Sequence, residues 1–395
     1  MDRLQEGRAA QPRANATTHS VAGATADRRP LFVLVPSLVP TGPVKGAIAL
    51  ANALANHCEV SLVAIKPGHG AQAEIHPAVR VIAPLSHSGW WRSVRAYRAL
   101  LIEARGDNRV ASVSFCFSAD MLNAMCSDLA MTCASVRGNL PQNYRHDYGW
   151  TGLLLAWVHL LFLRRVQSVA AMSKSMARQV ERFIGRAPEV IPNFIDETPL
   201  DGLRVERTVA SGPFRFCYVG SLSTRKRPQA LIEAVARLHR SGESVRLDVI
   251  GEGTLRRACE RSVQQAGITQ LVRFHGQLAD PFRLLASADC MVLPSLSEGI
   301  SRAVLESLHL GVPVVSRLAD GNDELIRLGH NGALFRRDEE LPQLMLDVAR
   351  WSRARSDPGQ SLLPAAFRQR ECAKQYFDLI AQQTDGWGRT KVPAT

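Results

Sequence analysis

Two glutamates with seven residues between them, Glu298 and Glu306, are the side chains best placed in this sequence to hold a sugar. Carboxylates accept hydrogen bonds from hydroxyls, so the pair could grip a sugar and a ribose at opposite ends of a diphosphate. They flank a turn in LPSLSEGISRAVLESLHLGVPVV, Leu293 to Val315. A strand is expected to end near Pro294, and a polar loop, Ser295 to Gly299, leads to a helix from about Ser301, its N-cap. Gly311 and Pro313 stop that helix before a new strand. Such a loop delivers backbone N–H groups at a helix N-terminus, where the partial positive charge suits a diphosphate. On spacing alone, an ordinary helix start with two solvated acids fits equally well.

A second cluster runs from Tyr218 to Pro228, with Gly220 where the backbone turns and Arg225, Lys226 and Arg227 before a helix. Lys226 could neutralise a phosphate; a solvated basic turn is the even alternative. A third, Gly251-Glu252-Gly253, follows the strand ending at Ile250. The third glycine of a dinucleotide fingerprint would fall at Arg256, so that fingerprint is broken and a nicotinamide or flavin role is set aside. In the first half, Pro36 to Gly46 reads as a turn-like loop containing Gly42 and Lys45. The segment Arg137-Gly138-Asn139-Leu140-Pro141, with Tyr144, Arg145 and Tyr148, is polar, turn-rich and aromatic. Arg137, Asn139 and Tyr144 are candidate acceptor contacts there, or parts of a surface loop capped by its own side chains. No Asp-x-Asp occurs, so no obvious carboxylate pair exists to hold a divalent metal on a diphosphate. Leaving-group charge can be met by Lys226, Arg225 and the helix N-terminus near Ser301. Neither metal nor cofactor is expected.

The elements that must position these residues form two series. Leu31 to Val35 is a continuous apolar run, as in parallel strands covered on both faces. Ala47 to Ala55 reads as a helix and Val60 to Ile65 as the next strand, a βαβ unit. Val79 to Ile82, a basic helix around Trp91 to Ala104, Ala111 to Phe115 and Val169 to Ala171 continue the series. The rhythm lapses over residues 197–212 and restarts with strand Phe214 to Val219, helix Pro228 to His239, strand Val245 to Ile250 and helix Leu255 to Ala266. Val272 to His275, Cys290 to Leu293 and Pro313 to Val315 complete the second series. Open parallel sheets bind ligands beyond the carboxyl ends of their strands, so two facing halves would enclose a cleft.

The 395 residues suffice for two domains, and 46% hydrophobic against 21% charged residues excludes disorder overall. Forty-eight Lys and Arg against 36 Asp and Glu give a net charge of +12. Nucleic acid, an anionic membrane surface, phosphorylated substrates or a merely solvated basic surface would each fit. No nucleic-acid-binding signature appears, so nucleic acid is not an expected partner. The eight cysteines form no C-x-x-C pair, and several sit in apolar runs, which favours reduced thiols and a cytoplasmic location. No run reaches the roughly 20 apolar residues of a membrane span. Leu153 to Leu163 comes nearest, as a buried helix or a membrane-touching one.

The sequence resembles glycosyltransferase family 4 from about Leu31 to Gln383. The resemblance rests on Glu298-x7-Glu306 and its surroundings, preceded in the expected order by SKSMARQV, VIPNFID, GSLSTRKRP, DVIGEGTLR and FHGQL. It implies an α/β GT-B fold: two Rossmann-like doubly wound domains facing each other across a cleft. The expected divisions are a disordered tail at 1–29, an acceptor domain at 30–196, a linker at 197–212 and a nucleotide-sugar domain at 213–364. A helix at 365–385 crosses back to the first domain, and a tail follows at 386–395. The resemblance further implies that Glu306 holds the ribose, Glu298 contacts the sugar and Lys226 holds the diphosphate. Backbone N–H groups of Gly299, Ile300 and Ser301 would face sugar and phosphates, with Gly220, Ser221, Arg225 and Gly251 nearby. Gly42, Lys45, Gly46, Arg137, Asn139 and Tyr144 would belong to the acceptor side. Most members retain anomeric configuration.

The chain departs from the family at Ser221, where many members carry Arg, and in SFCFSAD, which lacks a His found in many. The glycine often adjacent to Gly42 is also missing. The expected activity is transfer of a sugar from a nucleotide diphosphate sugar to a glycan or lipid-linked acceptor. The expected setting is bacterial surface polysaccharide or lipopolysaccharide assembly near the membrane. A non-catalytic scaffold that binds a nucleotide sugar or glycan is the alternative.

Overall fold

The computed structural model describes residues 28–86, 89–105, 110–203, 212–319 and 321–382. The two expected tails fall outside them, apart from Arg28 and Arg29, and so does half of the expected linker, residues 204–211. In the first half, strands β1 (Pro30–Val35), β2 (Glu59–Ala64), β3 (Arg80–Ile82), β4 (Val110–Phe115), β5 (Ala130–Val136), β6 (Ser168–Ala171) and β7 (Glu189–Val190) form one parallel sheet. Its order is β3-β2-β1-β4-β5-β6-β7. Its helices are α1 (Gly42–Leu54), α2 (Trp90–Arg105), α3 (Phe117–Ala124), α4 (Leu140–Tyr148), α5 (Trp150–Leu163) and α6 (Lys174–Ile184). A short α7 (Thr198–Asp201) follows.

In the second half, β8 (Phe214–Val219), β9 (Val245–Ile250), β10 (Val272–Gly276), β11 (Cys290–Leu293), β12 (Val314–Arg317) and β13 (Gly332–Phe335) form a second parallel sheet. Its order is β10-β9-β8-β11-β12-β13. The helices here are α8 (Pro228–Arg240), α9 (Arg256–Gln265), α10 (Phe282–Ala286), α11 (Arg302–His309), α12 (Asn322–Leu325) and α13 (Leu341–Ala354). Both sheets are doubly wound. Strand order reverses between β1 and β4 in one and between β8 and β11 in the other, the places where such sheets open a crevice.

Strands β1 and β4 are buried almost throughout because helices cover both faces. Alternation along β5 assigns the faces: Met131 and Cys133 pack with α1, whereas Ala134 and Val136 pack with α5. The last helix, α14 (Gln369–Gln382), returns to the first sheet. Its Cys372, Tyr376, Phe377 and Ile380 share a core with α1. The Tyr376 hydroxyl bonds Ser135 Oγ at 2.7 Å, and Gln369 Nε2 donates to the Ala49 carbonyl at 2.9 Å.

Three local readings are corrected. Helix α1 starts at Gly42, within the segment read as a turn, because Pro43 in a first turn is pre-organised for helix. Strand β5, AMTCASV, gave no signal since its residues are small and mixed, yet it is central and buried. The return helix starts at Gln369, after a 3-10 turn at Ala365–Phe367.

Candidate active site

A cavity of about 910 Å³ lies between the two sheets, walled by loops at the carboxyl ends of their strands. On the second-domain side, the loop after β8 brings Gly220, Ser221, Arg225 and Lys226, and the loop after β11 brings Glu298 to Ser301. These loops are neighbours because β8 pairs with β11, and the Leu296 N–H donates to the Arg225 carbonyl at 2.9 Å. Glu306 also lines the cavity, from within α11. Ser301 occupies the N-cap position with extended backbone, but its hydroxyl makes no capping bond. The Val304 and Leu305 N–H groups donate to the Ser301 carbonyl at 3.1 Å, so the α11 N–H groups left toward the cavity are those of Arg302 and Ala303, which line it.

Glu298 is held from two directions. Lys226 Nζ forms an ion pair with its Oε1, and Arg225 Nη1 donates to the same oxygen at 3.0 Å and to the Ser297 carbonyl at 2.7 Å. Glu306 accepts a long bond, 3.4 Å, from Arg302 Nη2 one turn earlier. Ser221 lines the cavity with its hydroxyl 3.4 Å from that of Ser223. Burial, and then the charge of Glu298, push the Tyr218 phenol up, so it stays neutral and donates to the Ser221 carbonyl at 2.9 Å.

On the first-domain side, Gly42, Lys45 and Arg137 line the cavity. Lys45 is paired with Glu74 at 2.7 Å. The Arg137 guanidinium stacks over Phe115, 4.8 Å from the ring centre. Its Nε donates to Ser135 Oγ at 3.0 Å, and its Nη1 donates to Asn193 Oδ1. Burial lowers its pKa, and Arg302 opposite adds repulsion. Arg137 Nη2 and Arg302 Nε are buried without a hydrogen-bond partner. Two guanidinium groups with unmet N–H donors on facing walls suit an anion.

Four expected site residues do not line the cavity. Gly46 stands behind it, where a Cβ would come within 2.6 Å of Arg137 Nη1. Gly251, at φ +131°, packs against the loop after β8; a Cβ there would meet the Gly220 carbonyl oxygen at 2.0 Å. The Gly251-Glu252-Gly253 turn thus shapes the loop after β8 from behind. Asn139 caps α4, accepting from the Gln142 N–H at 3.2 Å and from Gln179 Nε2 at 2.8 Å. Tyr144 turns inward to His159 Nδ1 at 3.1 Å, and His159 Nε2 meets Asp120 at 2.8 Å.

Sequence reasoning did not single out Asn143, Met172, Asn193, Phe282 or Arg302, which share the cavity. Asn193 carries the most structure: its Nδ2 donates to the Ile300 carbonyl at 2.7 Å, tying the first domain to the loop after β11. Its place in VIPNFID was the available signal. Among the described residues, no group of three or more His, Cys, Asp or Glu side chains is placed to hold a metal ion.

Residues 213–350 match the family described as glycosyl transferases group 1. The lipopolysaccharide core biosynthesis glycosyltransferase LpsE of Rhizobium meliloti is 26% identical over 85% of this chain and 94% of its own length. The putative colanic acid biosynthesis glycosyltransferase WcaL of Salmonella typhimurium is 28% identical over 42% of each chain. Among solved structures, Anabaena Alr3699/HepE in complex with UDP and glucose superposes with a TM-score of 0.70 at 20% identity, over 90% of this chain and all of its own. Doubly wound halves, a cleft between them and these relatives identify the chain as a sugar transferase of GT-B fold, whose second domain matches the glycosyl transferases group 1.

Proposed function

We propose that the chain is a family 4 enzyme that moves a sugar from a nucleoside diphosphate donor, seated on the second-domain wall, to a glycan or lipid-linked acceptor on the first-domain wall. Lipopolysaccharide or another surface polysaccharide is the product class, in keeping with relatives such as LpsE and WcaL. The observation that carries this reading is the convergence of Glu298, Glu306 and Lys226 on one wall of an interdomain cavity. Glu306 would hold the ribose, and Glu298 the sugar. Lys226, Arg225 and the α11 N-terminus would hold the diphosphate.

The proposed chemistry is a metal-independent front-face displacement with retention. The bond from the anomeric carbon to the leaving phosphate oxygen breaks, and a bond to the acceptor oxygen forms on the same face. The acceptor proton passes to the leaving phosphate. Cationic side chains and helix N–H groups stabilise the charge that develops there. Fully retained turnover in EDTA and a product of unchanged anomeric configuration are expected. Loss of turnover in EDTA overturns the metal-free part, and inversion overturns the front-face part. The reduced, mostly buried thiols fit a reducing cytoplasm.

Thermal melting against UDP-, GDP-, ADP- and CDP-sugars, with wild type and Glu306→Ala in parallel, tests the donor site. A ligand that binds only the folded state raises its melting temperature. A shift with one nucleotide class that disappears in Glu306→Ala supports the reading. No shift with any donor on folded protein overturns it.

A further inference from the structure

Helix α5 contains no charged residue and is apolar on every side, yet only one side is covered. Its inner face, Gly152, Ala156, His159, Leu160 and Leu163, is buried. Its one strongly polar ring, His159, points inward to Asp120 and Tyr144. On the outer face, Trp150, Leu154, Trp157 and Leu161 recur at helical spacing and are 78%, 70%, 57% and 53% exposed. A helix that is hydrophobic all round belongs in a core or a membrane environment. An exposed contiguous stripe of this kind marks an interaction surface.

We propose that this outer face seats the first domain on an anionic lipid bilayer. The helix is 14 residues long, roughly 21 Å, too short to cross a hydrocarbon core, so it would lie in the interface plane. Cations bracket the stripe. Arg145 sits 5.1 Å over the Trp150 ring at one end, and exposed Arg164 and Arg165 follow the other. Beside it on α6, Phe183 meets the Trp157 ring edge-on at 5.5 Å, flanked by exposed Arg182. The nearby exposed acid on α6 is Glu181. Indoles with a polar tip and snorkelling arginines around an apolar stripe suit the headgroup boundary of an anionic leaflet.

Charge also decides between occupants. A second copy of this face would bring Arg145, Arg164 and Arg165 against their own counterparts, whereas anionic headgroups neutralise them. Helix α2, the basic helix of the sequence, offers less. It exposes only Trp91 and Ile102 among its large apolar residues, and Arg98 is taken up by Asp128 at 2.7 Å. The surface is independent of the transferase reading.

Co-sedimentation of the full chain with vesicles, without any sugar nucleotide, tests it. Phosphatidylcholine vesicles containing about one-third phosphatidylglycerol are compared with phosphatidylcholine alone. Wild type should bind the anionic vesicles at least about tenfold better than the neutral ones and be released by high salt. Trp150→Ser/Leu154→Ser should lose about tenfold or more in binding with an unchanged melting temperature, because both side chains already face water. Arg164→Glu/Arg165→Glu should lose the preference for anionic lipid. Equal binding by wild type and the first variant, or no binding to anionic vesicles, overturns the proposal. So does a lipid-free dimer, seen by light scattering, that the first variant dissociates.

Discussion

Lys226 and Glu298 stand on separate loops, after neighbouring strands β8 and β11, and their side chains form an ion pair largely shielded from solvent. Arg225 joins at the same carboxylate oxygen. The two cations proposed for the diphosphate thus share, and are half neutralised by, the one acid proposed for the sugar. A donor must divide them. Glu298→Gln should free both cations, so UDP binding measured by calorimetry should tighten by up to about tenfold, the scale of one charge-assisted bond. Transfer rate should fall by tenfold or more. Weaker UDP binding in this variant would mean that Glu298 positions the cations for the phosphate.

Asn193 spans the two domains through Arg137 and the Ile300 carbonyl. Asn193→Ala leaves a buried guanidinium N–H and a buried carbonyl without their partner, at a cost of about 1–3 kcal/mol. Urea denaturation should show that loss. Donor-induced melting shifts should shrink as well, because Ile300 lies in the loop proposed to hold the donor. A stability loss with donor binding intact would confine Asn193 to the domain junction.

Gly251 holds φ at +131° with its α-carbon against the Gly220 carbonyl. Gly251→Ala should cost at least about 1–3 kcal/mol from backbone strain alone, and more from the collision. The displaced loop carries Lys226, so calorimetry should also find weaker UDP binding. An unchanged melting temperature would contradict the close approach.

Asp338 receives a bond from Arg227 Nη1 at 2.9 Å and another from Arg317. The Arg227 bond is the main reason that its carboxyl is held below the usual carboxylate range. A depressed carboxyl contributes stability above its unfolded pKa and loses it as pH falls through the folded value. Asp338→Asn should therefore destabilise near neutrality, by about 1 kcal/mol or less for so accessible a pair, and flatten the acid limb below about pH 4. Melting curves across pH check both effects. An identical acid limb in the variant would rule the cluster out as a source of acid sensitivity.

The sequence by itself determined what is local. Apolar runs alternating with helical stretches gave two α/β halves. Pro294 to Glu306 gave a loop and helix start at the end of a strand, and Gly220 to Pro228 gave a basic turn. Each follows from backbone propensity and short-range pattern, which act over a few residues. Tertiary structure decided which of these meet. Lys226 reaches Glu298 only because β8 lies beside β11, and Arg137 faces Arg302 only because the two sheets oppose their carboxyl ends. Tyr144 and Asn139 looked like acceptor contacts by residue type, but a hydroxyl or amide takes the partner that packing offers, here His159 and the first turn of α4. Helix α5 read as buried or membrane-touching because hydrophobicity alone does not say how many faces a fold will cover. Packing covers one of them and leaves Trp150, Leu154, Trp157 and Leu161 bare.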